Sequence, residues 1–358
     1  MAGTAQLLSR IPGMMAYREI GYPKLYPANV TISLLYTCNS RCLTCDVWQK
    51  KAKNLRPDEY DRIFASLGDA PYWFTFSGGE PFLRKDIVEI VASAYRHCHP
   101  GVINIPTNSL LSWIVPGKVE EILRRCPKSN VVINLSLDGV GEKHDRIRGV
   151  KGNFEHFEKN YHALRALKYS NFTLGVHTVI SKHNVYDIGE ICDYVGSLQP
   201  DSFITEIAEE RVELGTIGKD ITPEPEDYDR AISILQEKTS SYGYRGMGKV
   251  AHAFRIQYYE LVKRVLREKT QVIPCYAGWA SCQISPEGDV WPCCVRADSM
   301  GNLRESGYDF GKVWFSSAGN GIRTSIHNKE CYCPLANASY TNLVHHVPAL
   351  VKAAVIAS

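Results

Sequence analysis

The chain has 358 residues, 44% hydrophobic and 22% charged, enough for one large domain with a smaller one beside it. A formal charge of +3 is too mild to imply a nucleic-acid partner, and no apolar run reaches the length of a membrane span. The stretch from Met1 to Tyr17 lacks the apolar core of a signal peptide, so the setting expected is cytoplasmic, with the 12 cysteines serving metal rather than disulfides.

Residues 1–28 read as a lead-in whose apolar side chains, Leu7, Leu8, Ile11, Met14 and Met15, pack on the rim of the domain that follows. A membrane-surface anchor is the weaker reading, because such helices carry more charge. Residues 29–208 alternate short β-branched runs with helix-length amphipathic stretches. Strands are expected at Val30–Tyr36, Tyr72–Phe76, Val102–Ile105, Val131–Leu137, Phe172–Ile180 and Ser202–Ile207. Helices such as Pro57–Ser66 and Ile87–His97 lie between them. This alternation predicts an α/β fold, a partial (β/α)6 TIM-like barrel with its chemistry at the C-terminal ends of the strands.

Directly after the first strand comes Cys38-Asn39-Ser40-Arg41-Cys42-Leu43-Thr44-Cys45. Three thiolates in so short a loop can grip one face of an iron–sulfur cube and leave one iron open for a ligand. Half of a structural zinc site is the competing reading, but the next cysteine is Cys98. The second strand ends in Gly78-Gly79-Glu80-Pro81, where two glycines allow the backbone to approach a ligand closely. The third ends in Thr107-Asn108 and the fourth in Ser136-Leu137-Asp138-Gly139, short polar side chains that serve equally in capping and turns.

Residues 209–270 begin with a charged patch, break at Pro223 and Pro225, and continue as two helices near Glu226–Lys238 and Val250–Lys269. They read as a connector closing over the barrel mouth, with a flexible turn at Gly243–Gly248. Residues 271–336 hold Cys275, Cys282, Cys293, Cys294, Cys331 and Cys333. A hairpin turning at Pro286–Gly288 would bring Cys275 and Cys293 to one side, with Cys331 and Cys333 closing the ring. On spacing alone a zinc ribbon is the alternative. Residues 337–358 read as a terminal helix docked on the barrel, with His345 and His346 as surface or capping residues.

These motifs together resemble the radical S-adenosylmethionine (SAM) enzymes, over most of the chain from Val30 to Cys333. That resemblance implies a [4Fe-4S] cluster on Cys38, Cys42 and Cys45, whose open iron chelates SAM. It also implies that Gly78, Gly79 and Glu80 hold the methionine amino group. Thr107, Asn108, Ser136 and Asp138 would then meet the ribose and methionyl groups. Residues His144–Gly149 match a stretch that follows in the branch with extra clusters. Thr44 stands where the family usually has an aromatic residue, and Trp48 is the candidate substitute beside adenine. The run from Cys275 through Gly288 to Cys293 resembles the SPASM/twitch extension. This implies an auxiliary [4Fe-4S] cluster on Cys275, Cys293, Cys331 and Cys333, with Cys282 and Cys294 as alternative ligands or as a thiol hydrogen donor.

The activity implied is reductive cleavage of SAM to a 5′-deoxyadenosyl radical, fed by a one-electron reductant such as flavodoxin or ferredoxin, followed by hydrogen abstraction from the substrate. The enzyme would be an oxidoreductase, or an epimerase if a thiol returns the hydrogen. A small-molecule substrate, polar or sugar-like, is expected, because the 37 residues before Cys38 are too few for a peptide-binding domain. A maturase of a ribosomally made peptide is the second reading and a lipid substrate the third. A non-catalytic iron–sulfur or zinc binding protein would have no use for the open-iron triad together with Gly78–Glu80.

Overall fold

In the computed structural model, which describes residues 2–240 and 247–357, the lead-in is a helix, α1 (Ala2–Ile20). It meets the barrel where Arg10 donates to Ala70 O, just before the second strand, and to Tyr26 O at 2.9 Å, and it also packs on the C-terminal module. Met14 and Tyr17 are buried against Tyr276, Trp279 and Ile326 of the C-terminal module. Arg18 fixes the contact: its Nε donates to the Cys275 carbonyl at 2.9 Å, and its guanidinium lies 5.5 Å from the centres of the Tyr276 and Trp279 rings. The side chains of Leu7 and Leu8 lie outside the described residues.

Strands and helices then alternate as β1 (Asn29–Ser33), α2 (Pro57–Leu67), β2 (Trp73–Ser77), α3 (Ile87–Cys98), β3 (Val102–Thr107), α4 (Val115–Arg125) and β4 (Asn130–Ser136). The series continues with α5 (Glu142–Arg148), α6 (Asn153–Arg165), β5 (Phe172–Ile180), α7 (Ile188–Leu198) and β6 (Ser202–Ile207). β1 stops at Ser33, short of Tyr36. Beyond it the backbone bonds the loop after β2, with Gly79 N donating to Leu35 O at 2.7 Å.

Two more helices follow, α8 (Pro225–Thr239) and α9 (Met247–Glu268), then the hairpin β7 (Ser281–Ile284) and β8 (Val290–Trp291). Gly288, at φ +96°, makes the turn between them. One sheet holds all eight strands in the order β6-β5-β4-β3-β2-β1-β7-β8, parallel except for the last pair. The hairpin therefore extends the barrel wall, with Val30 opposite Cys282.

Strand alternation decides the two faces of this wall. Val30, Ile32, Phe74, Phe76, Ile103, Ile105, Ile133 and Leu135 point outward into the helices and are fully buried. Phe64 of α2 meets Phe74 edge-on at 5.5 Å. The inner face is polar: Asn134 Nδ2 donates to Asn104 Oδ1 at 2.8 Å, and Asn104 Nδ2 donates to Thr75 Oγ1 at 3.3 Å.

The chain ends in α10 (Phe310–Trp314), α11 (Ser317–His327), α12 (Ala336–Val344) and α13 (Val347–Ala357). Two helices thus replace the single terminal one expected. The chain turns between them at His345, which is buried and stacked on Tyr276 at 4.6 Å. α12 lies against the inner face of β1, where Asn337 Oδ1 accepts from Asn29 Nδ2 at 2.6 Å and Asn337 Nδ2 donates to Thr31 Oγ1 at 2.7 Å. The expected lid is corrected too. α8 packs on α7 and α9 packs on α12 and α13, and it is the segment after β6 that bonds the cysteine loop at the rim. Of the Gly243–Gly248 turn, residues up to 246 lie outside the described residues.

Candidate active site and metal centres

The cysteine loop leaves β1 at the C-terminal rim and is held by the chain on both sides. Arg41 N and Leu43 N donate to Arg148 O and Ile147 O at 3.0 and 2.9 Å, docking the loop on the end of α5. Asp46 N donates to Leu214 O at 2.8 Å. Cys38, Cys42 and Cys45 are close enough to interact electrostatically, and burial pushes all three thiols up, Cys45 to about 12. Thiolate ligation here therefore requires a metal to displace the protons. Trp48 lies on the turn just after Cys45, and the Arg41 guanidinium covers its ring at 4.2 Å, so one face is taken.

The glycine pair approaches the chain itself. A Cβ on Gly78 would lie 2.3 Å from Leu35 O, and one on Gly79 would lie 2.1 Å from Thr37 O. Gly79 N and Glu80 N are both spent on carbonyls of this segment, one and three residues before Cys38. The Glu80 carboxylate is fully committed as well. It accepts from Thr107 Oγ1 at 2.9 Å, Asn108 N at 2.8 Å and Phe82 N at 3.1 Å. Asn108 then braces the cysteine loop, its Nδ2 donating to Asn39 Oδ1 at 2.7 Å and Ser40 Oγ at 2.9 Å, with Cys38 Sγ at 3.7 Å. Glu80, Thr107 and Asn108 thus form a buried support under the loop. Ser136 stands half-buried at the end of β4.

Asp138 is likewise engaged: its Oδ1 accepts from Val179 N at 2.9 Å and its Oδ2 from Arg148 Nη1 at 2.9 Å. Arg148 interacts electrostatically with all three cysteines of the loop and favours their thiolate forms. Sequence reasoning quoted the stretch His144–Gly149 without singling out Arg148. Gly149 beside it sits against Arg41 O, 2.2 Å from its would-be Cβ, a long-range contact that local sequence does not announce. His144 is buried, which pushes it down to about 4, so as a neutral ring its Nδ1 accepts from Asp138 N at 3.1 Å.

The second set of thiols gathers under the hairpin. Cys275 couples electrostatically to Cys331, Cys293 to Cys275 and Cys331, and Cys333 to Cys293 and Cys275. Burial pushes Cys293 up to about 12. Arg296 Nη1 reaches Cys331 Sγ at 3.7 Å.

The two remaining cysteines of this region part company. Cys282 is on the outer face of β7, buried with Val30 and Ile32 in the helix-side core, and the structure does not bring it to either thiol set. Its expected part as ligand or hydrogen donor is corrected on that ground: inner and outer faces alternate, and its neighbour Gln283 takes the inner one. Cys294 is buried beside Cys293, near Arg211 and Glu213.

The inner wall also carries charged groups that the motifs did not announce. His177 Nε2 lies 2.8 Å from Glu206 Oε1, and Arg211 pairs with Glu206 and Glu209 at 3.4 and 3.0 Å. Burial raises Glu209 to about 7, whereas His177 and Arg211 overcome burial and hold Glu206 near 2.

Both thiol sets fit iron–sulfur cubes. One offers three cysteines and the other four, and the cysteines within each are mutually close. Among the described residues no three His, Cys, Asp or Glu close to the spacing of a single metal ion.

A family model described as the Radical SAM superfamily matches residues 32–195, and one described as an iron–sulfur cluster-binding domain (SPASM) matches residues 275–334. The chain is 22% identical over 326 residues to AlbA of Bacillus subtilis, an antilisterial bacteriocin subtilosin biosynthesis protein, covering 87% of this chain and 66% of that one. It is 25% identical over 260 residues to an AdoMet-dependent heme synthase of Oleidesulfovibrio alaskensis, covering 68% and 61%. The chain thus spans less than two thirds of either relative's length. The crystal structure of anSMEcpe with bound AdoMet and a Cp18Cys peptide superposes with a TM-score of 0.61 at 13% identity, covering 93% of this chain and 97% of that one, a likeness of fold. With a radical SAM domain and a SPASM domain, the chain belongs to the SPASM branch of the radical SAM enzymes, which use S-adenosylmethionine and [4Fe-4S] clusters.

Proposed function

We propose that this enzyme modifies a ribosomally made peptide. The observation that carries this reading is the rim of the site. Leu43 of the cysteine loop and Val212 and Ile217 of the facing segment are exposed apolar side chains, on two loops joined by the Asp46–Leu214 hydrogen bond. Such a border suits a polypeptide laid across the mouth better than a small polar molecule held within it. The bacteriocin relative supports the same substrate class. The small-molecule expectation rested on the short stretch before Cys38. A structure of similar extent and fold carries a bound peptide, which favours the peptide reading over it.

In this reading Cys38, Cys42 and Cys45 hold the SAM-binding cluster, and Cys275, Cys293, Cys331 and Cys333 hold the auxiliary one. Bound there, the two clusters and SAM supply one-electron chemistry that takes a hydrogen atom from an unactivated carbon, with an acceptor for the electron left behind. Arg148 sets positive charge beside the first thiolates, and Glu80 and Asn108 keep their loop in place. Ser136 and Trp48 border the SAM site, Gly78, Gly79 and Thr107 hold the chain beside it, and Asp138 serves it by holding Arg148. Net oxidation of the peptide is the favoured outcome. Cys294, buried near the inner wall, is the thiol available for an epimerase alternative. A flavodoxin or ferredoxin is the reductant.

The test is anaerobic incubation of the reconstituted enzyme with SAM and dithionite. One arm contains short peptides encoded beside its gene, and the other contains tetrapyrroles and a metabolite pool. Release of 5′-deoxyadenosine above background and a peptide lighter by two hydrogens are expected in the first arm. Stimulation by the second arm alone would refute the peptide reading.

A further inference from the structure

The segment that leaves β6 runs from Ile207 to Pro225 before the next helix begins. Residues 209–219 cross the barrel mouth, and their backbone is bonded on both sides. Toward the auxiliary module, Val212 N donates to Val295 O at 3.1 Å and Glu213 N to Cys294 O at 3.2 Å. Toward the first cysteine loop, Leu214 O accepts from Asp46 N at 2.8 Å, Val212 O accepts from Lys50 Nζ at 2.6 Å, and Lys219 pairs with Asp46. Three consecutive residues, Val212 to Leu214, therefore touch the loop of Cys45 and the turn of Cys293 at once.

Glu213 adds a third attachment from below. Its Oε1 accepts from Ser33 Oγ, at the end of the strand that delivers Cys38, and from Gln283 Nε2, on the strand that follows Cys275. Gln283 Nε2 also donates to Ser33 Oγ at 2.7 Å, closing a buried triangle between β1 and β7. The side chain is committed to this triangle and Glu213 is only 7% exposed.

We propose that Glu213 is a positioning residue that fixes the auxiliary cysteine turn against the SAM-cluster loop, and so sets the gap in which substrate is held. The inference deepens the proposed function and rests on its two-cluster reading, but not on the identity of the substrate. What the structure demands of residue 213 is an acceptor oxygen that can take two hydrogen bonds, together with a backbone N–H. A glutamine meets that demand, since its amide oxygen has two lone pairs. An alanine does not.

The experiment compares Glu213→Ala with Glu213→Gln in the full chain, by two readouts. Hydrogen exchange of the cluster-free protein should quicken in Glu213→Ala by about tenfold in peptides covering 38–50 and also 290–297, as expected when buried hydrogen bonds are lost. Glu213→Gln should restore protection in both. In the reconstituted enzyme, Glu213→Ala should keep both clusters and still cleave SAM. The ratio of 5′-deoxyadenosine to product should rise several-fold, and Glu213→Gln should bring it back. If Glu213→Ala does not fold, Ser33→Ala removes one donor of the triangle, and its exchange must quicken in the same two stretches. Exchange that changes in only one stretch, or in neither, would overturn the proposal. Failure of Glu213→Gln to restore the ratio would also overturn it, by showing that the charge rather than the geometry matters. A wrong substrate assignment would leave the exchange result intact, so the two failures are distinguishable.

Discussion

Gly79→Ala separates two accounts of the glycine pair. If the glycine exists to let SAM approach the backbone, the substitution weakens SAM binding and leaves the cluster in place. The structure supports a different outcome. The new Cβ would lie 2.1 Å from Thr37 O, 2.6 Å from Thr37 C and 2.7 Å from Tyr36 O, all of them backbone. A carbon–oxygen contact relaxes near about 3.3 Å, so the two segments must part by about 1 Å. That shift breaks the bonds of Gly79 N to Leu35 O and Glu80 N to Thr37 O, now 2.7 and 3.0 Å. Two lost backbone bonds at this partly buried site cost about 2–4 kcal/mol. Thr37 adjoins Cys38, so the displacement carries the first thiol with it. After anaerobic reconstitution, Gly79→Ala should hold about four iron per chain where the parent holds about eight, the auxiliary cube surviving. SAM binding should fall with the iron. Full iron content with only SAM affinity reduced would refute this reasoning and return the glycine to the ligand.

Other outcomes follow from the same geometry. The parent protein should carry about eight iron and eight sulfide, and replacing Cys38, Cys42 and Cys45 by alanine should remove half; stoichiometric zinc with about four iron would contradict the auxiliary assignment. Cys275→Ala should lose about four iron. Cys282→Ala should keep both clusters and full product formation at a packing cost of about 1 kcal/mol, and loss of iron there would contradict its outer-face position. Asp138→Ala leaves the Arg148 guanidinium, 12% exposed, without its partner, and should cost about 3–5 kcal/mol in urea unfolding. An unchanged midpoint would show that the pair does not support the loop. Glu59, bonded by Arg304 and Tyr308 of the auxiliary module, is held down from 4.5 to about 2. Its folded value is depressed, so its stabilisation is complete above pH 4.5 and is lost as pH falls toward 2. The urea midpoint of the cluster-free chain should therefore drop across that window, and Glu59→Gln should flatten the drop.

Much of this protein is legible in its local sequence. Every strand of the barrel lies within a few residues of its expected span, because β-branched runs between turn residues mark strands without reference to partners. The spacing of Cys38, Cys42 and Cys45 limits them to one side of one cluster. The turn at Gly288 likewise follows from local chemistry, since Gly288 adopts a φ of +96°. Tertiary structure decided the rest, wherever an answer depended on distant register. Cys282 faces the helices only because β7 pairs with β1 so that Cys282 sits opposite Val30; a shift of one residue would have turned it inward. Gly79 meets Thr37, Asp138 is engaged by Arg148, and Glu213 joins Ser33 to Gln283. Spacing along the chain fixes which thiols can share a metal. What a buried polar group bonds to depends on which segments the fold brings within about 3 Å of it, and those segments are far apart in sequence.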